Sequence, residues 1–380
     1  MNASRRQLFG LGGAALLAVS GCSPDRPADG QPTGPSAPGT GGADPTSPSP
    51  TPTPTPSPTP TGPAEPGTPE DLVTGLTTPW GLVRLDDGSL LVSERDTAKI
   101  KRVTEGTPAT VTEVAEVQPT SEGGLLGIAL SPDGDQLFCY HTTNSDNRIV
   151  RFRWDGEELS DPKVVLDGIP HAPIHDGGRL RFGPDGHLYA STGDASRRSL
   201  AQDTSSLAGK ILRITTDGEP APGNPFDNEV WSYGHRNVQG LAFDDDGRLW
   251  ASEFGDQTED ELNLITKGAN YGWPEIEGDE TTMEGRTNPV RVWPTSEASP
   301  SGLAFTAGSL WMGALRGQRL WQIPLTDGKA GKPVDHFHGE YGRLRSVLAI
   351  DGALLVATSN TDGRGDVRKG DDRILRIPFE

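Results

Sequence analysis

The chain has 380 residues, with 34 Lys plus Arg against 53 Asp plus Glu, a formal net charge of −19. That charge repels nucleic acid and anionic lipid surfaces alike, and it favours a neutral or cationic small molecule as partner. Two cysteines, Cys22 and Cys139, are too few for a disulfide-built scaffold.

The chain opens MNASRRQLFGLGGAALLAVSGC, with Arg5 and Arg6 adjacent and an apolar run from Leu8 to Val19. So short a run falls below the roughly 20 residues that span a hydrocarbon core, and residues 1–22 read as an export signal. The twin arginine followed by Gln7, Leu8 and Phe9 points to the twin-arginine route. Val19-Ser20-Gly21-Cys22 resembles a bacterial lipobox with Cys22 as the lipidated residue; a plain cleaved signal is the alternative. The expected location is outside the cell membrane, anchored to its outer face by lipid, or periplasmic or extracellular. Membrane contact is then through the lipid anchor alone.

Residues 23–69 are Pro, Thr, Ser and Gly with almost no aliphatic side chain, including TPTPTPSPTPTG from Thr51. Such a segment cannot bury a core and reads as a disordered, partly polyproline II tether; at ~3.1 Å per residue it reaches on the order of 100 Å. Residues 70–380 are long enough for a large core. Within them Cys139, in LFCYH, is expected on a core strand without a disulfide partner.

Six stretches of this domain repeat one unit: PWGLVRLDDGSLLVSER from Pro79, GLLGIALSPDGDQLFCYH from Gly124, GGRLRFGPDGHLYASTGD from Gly177, VQGLAFDDDGRLWASEFGD from Val238, PSGLAFTAGSLWMGAL from Pro300 and RLRSVLAIDGALLVATSN from Arg343. Each is an apolar strand, a turn and a second apolar strand. The turn glycines are Gly88, Gly134, Gly186, Gly247, Gly308 and Gly352, five following Asp and one following Ala. Asp-Gly between apolar runs predicts a two-residue type I′ hairpin, in which both central residues take positive φ. The spacing leaves room for two further strands per unit, and AKIKRV, NRIVRFRW, GKILRIT, DELNLI, RLWQIPL and DRILRIPF are expected as outer strands. Four strands in each of six units predict an all-β, six-bladed β-propeller; two β-sandwiches would not repeat six times. The longer intervals between the third and fifth copies predict insertions on a loop face.

In a propeller the innermost strands line the channel, and loops before the first strand and after the second reach one mouth. Glu122, His175, Arg236, Asn237, Arg343 and Arg345 precede a first strand; Asp194, the EFGD stretch from Glu253, Arg316 and Asn360 follow a second strand. These groups are expected to face one another. Four arginines suit a ligand with several carboxylates, since guanidinium binds carboxylate bidentately. The structural alternative is that they pair with the many acidic residues. His175, in HAPIHDGGRLRF, either packs under its turn or belongs to this ring.

HDGGRLRFGPDGHLYASTGD, GKILRI, YGHRNVQGLAFDDDGRLWASE, DELNLITKGANYGWP and GRLRSV, in that order from about Leu72 to Phe379, resemble the soluble quinoprotein sugar dehydrogenases. This is the glucose/sorbosone dehydrogenase family, with pyrroloquinoline quinone (PQQ) and calcium as cofactors and a six-bladed propeller as fold. The resemblance implies that His175, nineteen residues before Asp194, is the catalytic base; an imidazole is suited to taking a proton from an anomeric hydroxyl near neutral pH. It implies that Arg236 stabilises charge on the quinone oxygen, with Asn237 beside it at the cofactor. Arg316, Arg343 and Arg345 match the cationic positions that hold the tricarboxylate, Arg316 standing where the family has lysine. Glu122 and Asp194 match substrate-side positions. The Gly255 and Asp256 carbonyls match ligands of a calcium ion shared with the cofactor, which acts as a Lewis acid on the quinone. Asp260, Glu261 and the Tyr271 carbonyl resemble a second, structural calcium site, for which a solvated acidic loop is the alternative.

The chain also departs from the pattern. The cofactor loop reads GDQTEDELN, with Asp256 in place of proline and Phe254 in place of a polar residue; an aspartate there either strengthens metal binding or repels an anionic cofactor. Glu122 and Ser199 stand where glucose-oxidising members carry glutamine, so the pocket differs from theirs, and the compact 180–210 insertion resembles the shorter aldose-dehydrogenase branch. His171 and His235 read as loop residues, Trp273 as either a stacking platform or loop packing, and Asp244, Asp245 and Asp246 as turn residues. The expected function is oxidation of an aldose at its anomeric carbon to the lactone. The sequence carries no CxxCH haem motif, so electrons pass to an external acceptor, a quinone or a small redox protein. The alternatives are a calcium-dependent lactonase, or a propeller that binds a glycan or partner protein without redox chemistry.

Overall fold

The computed structural model describes residues 64–279 and 283–380. The export signal, Cys22 and most of the tether lie outside the described residues. Blade 1 is β2 (Pro79–Arg84), β3 (Leu90–Glu94), β4 (Lys99–Thr104) and β5 (Thr107–Glu113). Blade 2 is β6 (Leu125–Leu130), β7 (Gln136–Thr142), β8 (Asn147–Trp154) and β9 (Leu159–Ile169). Blade 3 is β10 (Leu180–Phe182), β11 (Leu188–Ser191), β12 (Lys210–Ile214) and β13 (Val230–Tyr233), and blade 4 is β14 (Val238–Phe243), β15 (Leu249–Glu253), β16 (Glu259–Ile265) and β17 (Arg291–Pro294). In blade 5, β18 (Pro300–Thr306), β19 (Ser309–Ala314) and β20 (Arg319–Thr326) are followed by β21 (Lys329–Ala330) and β22 (Val334–His336), which both pair with β20. Blade 6 is β23 (Leu344–Ile350), β24 (Ala353–Thr358), β25 (Ile374–Pro378) and β1 (Glu70–Val73), so the N-terminal strand completes the C-terminal sheet.

The six-bladed propeller is therefore observed, with two refinements. The six stretches expected as outer strands are third strands, each covered by a fourth. The turns also differ: in blades 1 to 4 only the glycine takes positive φ, and Gly88, Gly134, Gly186 and Gly247 each donate to the residue three back, a type I turn closed by a glycine bulge. Of the six innermost hairpin turns only Ala307-Gly308 has both central residues at positive φ, as a type I′ turn requires. Residues 64–69, assigned to the tether by composition, are held too: Gly67 N–H donates to Pro378 O at 2.7 Å and Gln322 Nε2 to Ala64 O at 3.0 Å. The folded unit thus begins earlier than residue 70.

The strands read as apolar runs because both faces are buried. On β7, Phe138 and Tyr140 pack toward blade 3 while Leu137 and Cys139 pack toward blade 1. On β15, Leu249 and Ala251 face blade 3 and Trp250 faces blade 5. Small residues let the innermost strands meet: a Cβ on Gly127 would lie 2.2 Å from Gly178 O, and one on Gly240 2.3 Å from Ser301 O. Repeated serines then join neighbouring blades, Ser93 Oγ donating to Leu126 O at 2.5 Å, Ser191 Oγ to Val238 O at 2.8 Å and Ser252 Oγ to Ser301 O at 2.7 Å. Among the described residues no helix is long and apolar enough to cross a membrane.

Candidate active site at the channel mouth

The loops flanking the innermost hairpins converge, as the repeat positions predict, on a cavity of about 300 Å³. Its lining includes His175, Glu122, Asn237 and the arginines Arg236, Arg316, Arg343 and Arg345; Gly255, Asp256 and Asp260 complete another side. Arg95 and Arg364 also line it. Arg95 follows β3 just as Asp194 follows β11, so the repeat alignment contained the signal for it; Arg364 arrives from a long loop that no periodicity marks.

His175 sits at φ 67°, in the left-handed region, on a loop fixed from three sides. Its N–H donates to Glu122 Oε2 at 2.9 Å, its carbonyl accepts from Ala195, and Gly193 passes so close that a Cβ there would lie 1.9 Å from His175 O. Nδ1 lies 2.8 Å from Asp194 Oδ1. Asp194 is fully buried, and its Oδ2 accepts Trp273 Nε1–H at 2.8 Å while Oδ1 also accepts Ser196 N–H at 2.8 Å. Burial would raise its carboxyl, but the bonds from His175, Trp273 and Ser196 outweigh that and hold it below the ordinary carboxylate range. An ionised Asp194 can only accept, so Nδ1 carries the proton and donates to it, which leaves Nε2 as the basic nitrogen. Asp194, expected on the substrate side, is not in the cavity wall but behind His175, where it orients the ring. Trp273 anchors Asp194 and presents its ring to Arg198 and Arg236, at 4.9 and 5.4 Å.

Asp176 supports the same loop from beneath. Its Oδ1 accepts from Asn147 Nδ2 at 3.0 Å and its carbonyl from Tyr140 OH at 2.9 Å, while Oδ2 is buried without a partner among the described residues. Burial pushes its carboxyl up to about 6. The folded chain then binds this proton more tightly than the unfolded chain, whose aspartates titrate near ~3.9, so stability is lost as pH rises from about 4 to 6. Asp176→Asn is expected to flatten that decline, and thermal melts of both chains across this range measure it.

The arginines do not stand bare. Arg343 and Arg345 reach Asp362 at 3.0 and 3.5 Å, a carboxylate with no exposed side-chain surface that lies behind them. Arg345 also donates to Ser359 Oγ at 3.0 Å and Gln239 Oε1 at 3.2 Å, and burial lowers its guanidinium to about 9. Arg364 pairs with Glu122 at 3.0 Å across blades 6 and 2. Arg236 pairs with Asp256 at 3.0 Å, and its Nε is buried without a partner among the described residues. Arg316 is exposed at the mouth, with no ion pair among the described residues. His235 orients the Arg236 loop, with Nε2 on Ser232 Oγ at 2.9 Å, Nδ1 on Glu253 Oε2 at 2.8 Å and its ring stacked 4.7 Å from Tyr271. Asn237 Oδ1 accepts Gly177 N–H at 3.0 Å and so joins the loops of blades 3 and 4. Asn360 accepts Arg343 N–H at 2.8 Å and is structural.

The fit to a cation is decided by one carboxylate the sequence did not single out. Glu277 Oε1 accepts the N–H groups of Asp256, Gln257, Thr258 and Glu259 at 2.8, 2.9, 2.8 and 3.2 Å. Across a trans peptide C=O and N–H point oppositely, so the Gly255 and Asp256 carbonyls are turned away from Glu277, free for an oxygen-seeking ion at the cavity wall. The second proposed calcium set does not meet as one group. Asp260 and Glu261 are neighbours on β16 and face opposite sides of the sheet: Asp260 accepts from Gly255 and Ser299 N–H, at 2.9 and 2.5 Å, and Glu261 from Gly278 N–H at 2.8 Å. Asp260, expected beside Glu261 at one ion, instead ties Gly255 to Ser299 and shapes the 255–260 loop. Glu261 lies beside Glu253, Glu277 and Tyr271, and burial, with Glu253 adding, pushes it up to about 8. Among the described residues no three His, Cys, Asp or Glu side chains form a metal-holding group.

Comparison with known proteins gives this geometry a context. A PQQ-bound aldose sugar dehydrogenase from Streptomyces coelicolor is 54% identical, covers 84% of this chain and 99% of its own length, and superposes with a TM-score of 0.80. Aldose sugar dehydrogenase YliI of Escherichia coli K12 is 30% identical over 77% of this chain and 90% of its own. Quinoprotein glucose dehydrogenase B of Acinetobacter calcoaceticus is 34% identical over 54% of this chain and 52% of its own. Residues 76–375 match the Glucose / Sorbosone dehydrogenase family, and the chain belongs to it.

Proposed function

We propose that this protein is a quinoprotein that oxidises aldoses at the anomeric carbon to lactones, with PQQ and calcium bound in the 300 Å³ cavity. The observation that carries the reading is the imidazole of His175, its Nδ1 2.8 Å from the buried Asp194 carboxylate, inside a ring of arginines suited to a tricarboxylate. When bound, the quinone supplies the two-electron sink that receives hydride from the sugar. His175 Nε2 takes the proton of the anomeric hydroxyl, a contribution of typically 10²- to 10⁴-fold. Glu122 fixes the His175 backbone, and Arg364 closes the cavity on the blade 2 side through Glu122 and Ser121. Arg236 is placed to bind oxygen charge, and Arg316, Arg343 and Arg345 to hold cofactor carboxylates. The Gly255 and Asp256 carbonyls would hold one calcium ion, and Glu261 with the Tyr271 carbonyl a second, which would relieve the buried charge at Glu261.

The acceptor would be external, a quinone or small redox protein, and the twin-arginine segment with the lipobox-like Val19-Ser20-Gly21-Cys22 supports a location outside the cell membrane. Titration with PQQ and calcium, following dye reduction over a panel of aldoses, tests the reading. Turnover is expected only with both additions and is lost to a chelator. Absence of quinone binding overturns the reading. Hydrolysis of lactones without quinone would favour the lactonase, and glycan binding without turnover the non-redox propeller.

A further inference from the structure

Two cavity arginine pairings have their carboxylate in the wall itself, Glu122 with Arg364 and Asp256 with Arg236, and of these only Asp256 sits on Arg236. Asp362 is sealed behind Arg343 and Arg345, and Asp96 pairs with Arg95 at 2.6 Å outside the cavity wall. Asp256 is in the wall itself. Its Oδ1 accepts from Arg236 Nη2 at 3.0 Å and its Oδ2 from Arg198 Nη2 at 2.8 Å. Its backbone is pinned separately, the N–H on Glu277, so the side chain can turn without moving the loop. Arg198, on the 3-10 turn Arg198–Ala201, comes from blade 3 and keeps 56% of its side chain exposed, against 11% for Arg236. It is free to follow a moving carboxylate.

A cavity suited to an anionic ligand thus carries an anion of its own on one of its lining arginines. The Arg236 Nη2–H that serves Asp256 cannot at the same time serve a ligand oxygen with full strength. We propose that Asp256 is an internal competitor for Arg236, which an incoming anionic cofactor must displace, and that Arg198 receives the displaced carboxylate. The inference rests on the quinone reading above. It gives Arg198, exposed across the rim and set 4.9 Å over the Trp273 ring, a part in binding.

The test is equilibrium binding of PQQ to the full chain at saturating calcium, read by quenching of tryptophan fluorescence rather than by turnover. Asp256→Asn is expected to bind about tenfold more tightly than wild type and Arg198→Ala roughly threefold to tenfold more weakly, the scale of a partly buried charge pair. In the Asp256→Asn background Arg198→Ala is expected to change affinity by less than about twofold, since no carboxylate is left to receive. Binding by Asp256→Asn no tighter than wild type overturns the inference, as does an Arg198→Ala effect of equal size in both backgrounds. If the Asp256 variant folds poorly, the exposed Arg198→Ala decides alone: unchanged affinity overturns the proposal. Wild type that binds quinone while the variants behave this way removes only the inference; failure of wild type and every variant to bind removes the functional reading with it.

Discussion

His175→Ala, loaded with quinone and calcium, is expected to lose turnover by a factor on the order of 10² or more while still binding the cofactor. The reasoning lies in the hydrogen bonds. Asp194 stays ionised and accepts from Nδ1–H, with Nδ1 and Oδ1 2.8 Å apart, so the imidazole is fixed in the one tautomer that offers Nε2 as a base. The alanine leaves the arginine ring untouched, and cofactor affinity should change little. A companion change, Asp194→Asn, separates orientation from presence: its amide cannot accept both Trp273 Nε1–H and His175 Nδ1–H with the same strength, and pairing its NH₂ with Nδ1 would put the proton on Nε2. It is expected to lower turnover by a comparable order, about 10² or more, through tautomer rather than loss of the ring. Steady-state dye reduction of both variants, alongside quinone binding, measures the effect; a His175→Ala enzyme within about tenfold of wild type would show that another group takes the proton.

The largest expected effect on stability comes from removing β1. A chain shortened to begin at Gly75 loses the strand that pairs with β25, at Glu70 with Arg376, Asp71 with Leu375 and Val73 with Ile374. Val73, 3% exposed, leaves the core between blades 6 and 1, at roughly 1.5–3 kcal/mol. The lost ladder and terminal hydrogen bonds add about 0.5–1.5 kcal/mol each. The sum is a large part of a typical stability of roughly 5–15 kcal/mol, and at about 2 °C per kcal/mol the midpoint should fall on the order of 10 °C. The exposed edge of β25 is also a template for association. Differential scanning of this chain against one beginning at Thr59 gives the comparison; equal midpoints would mean that the ring holds without its closing strand.

Both predictions show which part of the molecule each level of description controls. The repeat itself was legible because it is written locally. Glycine at Gly88, Gly134, Gly186 and Gly247 marks each hairpin through its positive φ, and apolar runs such as LLGIAL mark strands buried on both faces. From there the positions before the first strand and after the second carried His175, Arg236, Arg316, Arg343 and Arg345 to one mouth. The resemblance supplied their proposed roles. What composition misread was residues 64–69, whose prolines and glycines look like tether but whose backbone groups are taken up by β25 and Gln322.

The sequence by itself determined a repeated four-strand unit, six times over, and the residues that face the channel, because turn chemistry and strand periodicity act over a few residues. Only the tertiary structure decided which carboxylate answers which cation. Trp273 reaches Asp194 across 79 positions and Arg364 reaches Glu122 across 242, and Asp260 parts from Glu261 although they adjoin. Closing a ring of blades sets those distances, and hydrogen bonds form or fail within a few tenths of an ångström. Asp194 became the residue that orients the histidine, and Asp256 the carboxylate that sits on Arg236, for that reason.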